Sequence, residues 1–216
     1  MAKTKPFENY VGEYEEWFNK FKFIYESELK AVNHFIPKDR KSIEIGIGTG
    51  RFAIPLGIRE GVEPSESMRE FSLKKGLKVY NGIAENLPLD NDSYDFILMV
   101  TTICFIDDVR KAFFEVKRVV KSGGYFIIGF IDKGSPLGKT YESFKNSDKF
   151  YNQATFYTAD EVRSLLEETG FINIRFVQTI FGELSEIKSI QHYKSGYGEG
   201  GFVVTKAEKW LLNRVN

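Results

Sequence analysis

Large apolar side chains fall at Tyr10, Tyr14, Trp17, Phe18, Phe21, Tyr25, Leu29, Val32 and Phe35, mostly three or four positions apart, the spacing of one helix face. One or two amphipathic helices are therefore predicted over residues 9–35, stopped by Pro37. From residue 41 the period changes: KSIEIG is a short β-branched run closed by glycine and reads as a first strand. Helical and strand-like segments then alternate. Helices are expected around residues 51–56, 65–75 and 108–120, the last ended by Ser122, Gly123 and Gly124, and strands around 61–63, 78–81, 94–100 and 125–130. Such alternation specifies a parallel sheet with helices on both faces.

Beyond residue 130 the punctuation loosens. Residues 132–157 scatter Gly134, Pro136 and Gly138 among Tyr, Phe and Lys, a long connection with room for a short helix and of the kind that carries function. TADEVRSLLEETG at 158–170 has a Thr cap, acidic residues in its first turn and a terminal glycine, so it is a well-punctuated helix. A strand follows over 171–179, then a polar, glycine-rich insertion, then a final strand in GFVVTKAEK.

With 216 residues, 42% of them hydrophobic, the chain fits one domain, 1–216. Thirty basic side chains against thirty acidic ones leave no net field to attract a polyanion, which argues against nucleic acid. Cys104 is the only cysteine, so neither a disulfide framework nor a thiolate metal site is expected, and a reducing cytoplasm suits the chain. The opening MAKTKPFENYVGEYEEWF is too polar for a secretory leader and no run of eighteen apolar residues occurs, so no membrane partner is expected. Lys and Glu, 21 of each, outnumber Arg and Asp, nine of each, a bias of proteins from hot environments.

The candidate chemistry begins in KSIEIGIGTGRFAIP, where Gly46, Gly48 and Gly50 follow a strand end. In a doubly wound sheet that is where ligands sit, and glycine lets backbone amides approach them without a Cβ in the way. Gly48, Gly50 and Ala53 also satisfy the G-x-G-x-x-A form of a dinucleotide fingerprint, so a nicotinamide-dependent oxidoreductase is one alternative. A non-catalytic cofactor-binding module is another. Glu44, however, places fixed negative charge on the approach a pyrophosphate needs, whereas a cationic ligand tolerates it. No Walker lysine-serine pair follows the glycines.

Four segments in register resemble the class I S-adenosylmethionine-dependent methyltransferases, in particular the small-molecule group that includes the ubiquinone and menaquinone biosynthesis enzymes. They are EIGIGTG at 44–50, GVEPSESM at 61–68, AENLPLDNDSYDFI at 84–97 and VKSGGY at 120–125. The resemblance implies an α/β fold with a doubly wound, mostly parallel seven-stranded sheet, the last strand antiparallel, under an N-terminal helical cap. It implies a cap at 1–38, a cofactor-binding half at 39–132 and a substrate-side half at 133–216. The implied chemistry is methyl transfer from S-adenosylmethionine to an O, N or C atom of a small-molecule acceptor, with no dedicated catalytic residue required.

Glu63, nineteen residues after Glu44, ends the second strand, where a carboxylate accepts from both ribose hydroxyls; the plainer alternative is a cap for the helix starting near Ser65. From the resemblance, Glu44 serves the methionyl amino group, often through water, and Ala84 and Glu85 hold the adenine. Many relatives place Asp where this chain has Ile83, so that adenine contact falls to Glu85 or to main chain. Met68 covers the other face of the ring, or simply packs the core. Thr101 and Thr102 border the transferable methyl, or bond nearby backbone. Tyr14, in YEEWF, is expected to face the pocket from the cap. His192 is the candidate base, with His34 assigned to the helix surface. Substrate choice is assigned to the cap, the 132–157 connection and the 181–200 insertion, whose Tyr and Phe suit a small, partly aromatic or apolar acceptor.

Overall fold

The structure, a computed structural model, describes residues 3–210. The helical period at the start breaks twice, giving three helices: α1 Lys5–Asn9, α2 Val11–Lys20 and α3 Lys22–Asn33. Both breaks fall at aromatic residues outside the helical well, Tyr10 (φ −128°, ψ 33°) and Phe21 (φ −109°, ψ 42°). The strands are β1 Ser42–Ile45, β2 Glu60–Val62, β3 Lys78–Tyr80, β4 Tyr94–Val100, β5 Val120–Ile131, β6 Phe171–Thr179, β7 Lys194–Ser195 and β8 Phe202–Lys209. They form one sheet in the order β3-β2-β1-β4-β5-β8-β6-β7. Neighbours from β3 to β5 are parallel, and β8 inserts antiparallel between β5 and β6. This is the doubly wound arrangement with a reversed last strand; the two-residue β7 adds an eighth strand at the edge, inside the insertion.

The remaining helices are α4 Glu66–Lys74, α5 Val109–Val119, α6 Pro136–Phe144 and α7 Ala159–Glu168. Thr158 and Glu161 close a reciprocal capping box on α7. One core packs α5 and α7 on one face of the sheet through Phe113, Val116, Val162 and Leu166. The opposite core packs Phe18, Ile24, Ala31 and Val32 of α2 and α3 against Leu98, Ile127 and Phe202. The cap therefore supplies a structural layer as well as a cover.

Two sequence expectations are corrected. Residues 51–56 form a string of turns and no helix. Bonds run from the Ile54 amide to Gly50 O (3.1 Å) and from Leu56 to Phe52 O (3.3 Å), but Pro55 has no N–H for the Arg51 carbonyl between them. The Tyr25 hydroxyl donates to that carbonyl instead, at 2.5 Å. Likewise, α5 ends at Val119, and Ser122-Gly123-Gly124 lie within β5, where pairing jumps from Tyr94↔Val120 to Phe96↔Tyr125. A Cβ on Gly124 would stand 2.6 Å from the Asp95 carbonyl, so these glycines permit a bulge.

The cap is clamped to the loop after β1. Glu15 of α2 accepts from Arg51 Nε (3.0 Å), from Arg51 Nη2 (2.6 Å) and from the Thr49 hydroxyl. Lys75 joins from the end of α4, donating to Thr49 O at 3.0 Å. Replacing Glu15 with Ala should lower stability by roughly 1–2 kcal/mol and, in limited proteolysis, move the first cleavage into residues 10–21. First cleavage elsewhere contradicts the clamp.

Candidate active site

The strand order reverses between β1 and β4, and a crevice opens at the carboxyl ends of those strands. It forms a cavity of about 450 Å³, with Gly46, Gly48 and Glu63 on the sheet side and Tyr14, Trp17 and Glu28 on the cap side. Two glycines are required there by conformation, and the first of them by space as well. Gly46 has φ 70° and Gly48 φ 53°. A Cβ on Gly46 would lie 2.3 Å from Thr102 Oγ1, and one on Gly48 would lie 3.4 Å from the Tyr14 hydroxyl. Gly50 shapes the turn behind them and does not line the cavity.

Glu63, 7% exposed, lies at the tip of β2 and ties the crescent together. One carboxylate oxygen accepts the Gly48 amide and the other the Ser65 amide, both at 2.9 Å. Capping near Ser65 and a ligand-facing position are thus combined in one side chain, since each oxygen keeps a further lone pair. Burial raises the Glu63 pKa and outweighs the two amides, which lower it. Glu44, 2% exposed, stands behind the cavity lining. Its Oε2 has no hydrogen-bond partner among the described residues. Burial drives its pKa well up; the Ala53 amide opposes this and the Glu63 charge adds to it. A buried acceptor with no donor beneath a bare backbone crescent suits a ligand carrying N–H groups and positive charge.

Tyr14 lines the cavity, packed edge-on against Phe7 (6.2 Å) and Phe18 (5.1 Å). Burial, then the charges of Glu44 and Glu63, raise its pKa, so it remains a neutral hydroxyl. Met68, Ala84 and Thr101 also line the cavity. Thr101 has φ 51°, a left-handed conformation that is uncommon outside glycine, at the end of β4. Thr102 takes the plainer role, its Oγ1 3.0 Å from Val100 O. Glu85 reaches the cavity, but its Oε1 accepts the Asp107 and Asp108 amides at 2.9 and 3.3 Å. One of its oxygens thereby holds the β4–α5 connection.

His192 is misplaced for a base. It is exposed and outside the cavity lining, with Nδ1 3.2 Å from the Lys30 ammonium. The insertion around it packs on the outside of α3: the Gln191 amide donates to Ser27 Oγ (2.8 Å) and Tyr193 lies 4.6 Å from the His34 ring. Residues 181–200 therefore contribute nothing to the lining, in contrast with Tyr141, Phe150 and Tyr151 from the 132–157 connection.

Sequence reasoning missed Glu28. It lies on α3, 8% exposed, and lines the cavity. The signal was present: Ile24, Glu28, Ala31 and Val32 share one helical stripe, so a carboxylate interrupts a buried apolar face.

A family model described as a methyltransferase domain matches residues 43–128. The chain is 49% identical to a Thermotoga maritima S-adenosylmethionine-dependent methyltransferase of known structure, described as a possible histamine N-methyltransferase, with a TM-score of 0.92 over 95% of this chain and 98% of that one. It is 46% identical to the uncharacterized protein MJ1123 of Methanocaldococcus jannaschii, over 94% of this chain and 98% of the relative. A Staphylococcus aureus demethylmenaquinone methyltransferase is 25% identical, over 65% of this chain and 71% of that protein.

Burial alone pushes the Glu28 pKa up to about 8. Folded Glu28 thus holds a proton that the unfolded chain has released, so its contribution to stability falls as pH rises from the ordinary carboxylate range through about 8. Urea denaturation should find Glu28→Gln more stable than the parent by about 1–3 kcal/mol at pH 8.5 and little changed at pH 5. Equal effects at both pH values contradict a buried, unpaired carboxylate.

Proposed function

Because the chain belongs to the class I S-adenosylmethionine-dependent methyltransferases, we propose that it methylates an N, O or C atom of a small molecule enclosed between the sheet and the cap. The protein is an enzyme that uses S-adenosylmethionine. When bound, that cofactor supplies a methyl already activated on a sulfonium, so the protein's share is to align, enclose and exclude water. Glu63 accepts from the ribose hydroxyls with its remaining lone pairs, while the Gly48 and Ser65 amides hold it in place. Glu44 Oε2 receives the methionyl amino group, directly or through water. Gly46 and Gly48 present the bare main chain, and Gly50 supports them by shaping the turn behind. Met68, Ala84 and the backbone at Glu85 enclose the adenine, Tyr14 covers the crescent and Thr101 borders the methyl.

The observation that carries the acceptor class is enclosure. Rings of α1, α2 and the 132–157 connection close over the crescent, with Phe7 4.9 Å from Phe105 and 5.9 Å from Phe150, and a Lys149–Glu13 ion pair joins the connection to α2. A cavity of about 450 Å³ so covered favours a small acceptor over a protein or RNA strand. In this reading residues 1–38 are the cap, 39–132 the cofactor-binding half and 133–216 the other half, which lends its connection to the acceptor. Among the described residues no helix is long and apolar enough to cross a membrane. The buried free thiol of Cys104 supports a cytoplasmic setting, and the Lys–Glu bias supports work at high temperature.

Calorimetry with S-adenosylhomocysteine should give micromolar binding, weakened about 100-fold by Glu63→Ala, which removes charge-assisted acceptors. Gly48→Val should weaken it about tenfold or more, because a β-branched residue resists φ 53° and its methyls enter Tyr14's space. Binding indifferent to both changes overturns this cofactor placement. With methyl-labelled cofactor and cell extract, label should appear in the low-molecular-weight fraction; label confined to protein or RNA overturns the small-molecule reading.

A further inference from the structure

Glu28 is not explained by the cofactor. It projects from α3 into the cavity, and no hydrogen bond or ion pair reaches it among the described residues. Two phenols share its surroundings: Tyr141 of α6 and Tyr151 of the following connection both line the cavity, and burial first, with the Glu28 charge adding to it, raises the pKa of each. Their rings meet edge-on at 5.2 Å, and neither hydroxyl has a hydrogen-bond partner among the described residues. Trp17 and Phe21, 5.3 Å apart, add apolar wall. Three polar groups with free valences therefore line the same cavity, together with these aromatic rings and with Thr101 at the end of β4.

Charge selects what fits there. Neither lysine of the wall forms an ion pair with Glu28: Lys3 pairs with Asp107 at 3.4 Å, and the Lys20 ammonium sits over the Phe21 ring, 5.2 Å from its centre. An anionic acceptor would hold Glu28 protonated and gain no charge partner from it, and a neutral alcohol brings no charge to offset an ionised one. An amine brings both the N–H donors and the positive charge that the site lacks, and aromatic walls favour cations as well.

We infer that Glu28, with Tyr141 and Tyr151, forms the acceptor subsite and selects a small amine with an apolar or aromatic body, making the enzyme an N-methyltransferase. This rests on the methyltransferase reading above. As the amine docks, its positive charge draws Glu28 into the ionised form and the carboxyl proton leaves to water; the ammonium then yields one proton to that carboxylate, freeing the nitrogen lone pair. That lone pair forms the N–C bond to the sulfonium methyl while the C–S bond breaks and its electron pair stays on sulfur, giving S-adenosylhomocysteine. The product is a methylated ammonium, and the proton held by Glu28 passes to water as it leaves. Burial, which holds the Glu28 carboxyl up to about 8, suits it to exchange a proton with an amine.

The test uses the full-length protein loaded with S-adenosylhomocysteine, titrated with phenethylamine and with its neutral counterpart 2-phenylethanol. The parent should bind the amine at least about tenfold more tightly than the alcohol, as a desolvated charge-assisted bond provides. Glu28→Gln should bring the two ligands within about twofold while leaving S-adenosylhomocysteine affinity and fold intact, because the change keeps the shape and removes only the charge. No amine binding, no preference for the amine, or a preference that survives in Glu28→Gln overturns the inference while the cofactor reading stands. Failure of the parent to bind S-adenosylhomocysteine overturns that cofactor reading, and the amine subsite falls with it.

Discussion

Carboxylates buried without a salt bridge are the constraint on which the site depends. Glu44, Glu63 and Glu28 all sit below one-tenth exposure, and burial pushes the pKa of each upward. Stability alone does not favour this, because replacing such groups with apolar ones of similar shape usually costs nothing. Each acid is compensated differently. Glu63 has two backbone amides, Glu44 has one, and Glu28 has none. In the proposed placement, the ladder from satisfied to orphaned follows the path from the sugar of the cofactor, through its amino-acid end, to the acceptor. A ligand that brings donors and positive charge is then bound partly by relieving what the fold leaves uncompensated.

The same acids explain why the cap must be fixed. A carboxylate such as Glu28 remains in a low-dielectric chamber only if its helix cannot swing into water. α3 is held by its packing against the sheet, and α2 by Glu15 on Arg51. Burial opposes ionisation of Glu15, but the Arg51 and Thr49 bonds dominate and lower its pKa, whereas burial raises the pKa of the acids at the cavity. Arg51 also lies 5.0 Å from the Phe18 ring, so one guanidinium spans the cap and the loop after β1. The loop after β1 and the cap are thereby joined directly, which ties the cap to the glycine crescent.

Much of this was legible in the sequence, for identifiable reasons. The parallel strands announce themselves as β-branched runs, and α7 by its Thr158 cap, because those signals are local. Glu63 could be placed because strand-end position and spacing from Glu44 fix its neighbourhood. The failures are non-local. Residues 51–56 have helical spacing, yet Pro55 leaves the Arg51 carbonyl to Tyr25, twenty-six positions away. Ser122-Gly123-Gly124 read as a helix stop until pairing with β4 shows a bulge. His192 drew notice because histidine is the usual base near neutral pH, but residue type says nothing about which side of α3 an insertion covers. Glu28 was overlooked for the converse reason: glutamate on a helix is ordinary until its face is known to be buried.

The division of labour within the fold follows from these placements. Groups assigned to the cofactor come from the ends of β1 to β4, whose register is fixed by a continuous hydrogen-bonded sheet. Groups assigned to the acceptor come from α3, α6 and the connection after it, which meet through side chains such as Tyr141 and Tyr151. Substituting on those helices leaves the backbone crescent untouched, so acceptor choice can change without loss of the methyl donor. Such freedom has a limit in Thr101. It lines the cavity beside the acceptor chamber, but its amide bonds Gly129 O at 2.8 Å within the sheet, and its left-handed backbone is held there. The point where methyl and nucleophile meet is thus set by the rigid half, and the acceptor half adjusts to it.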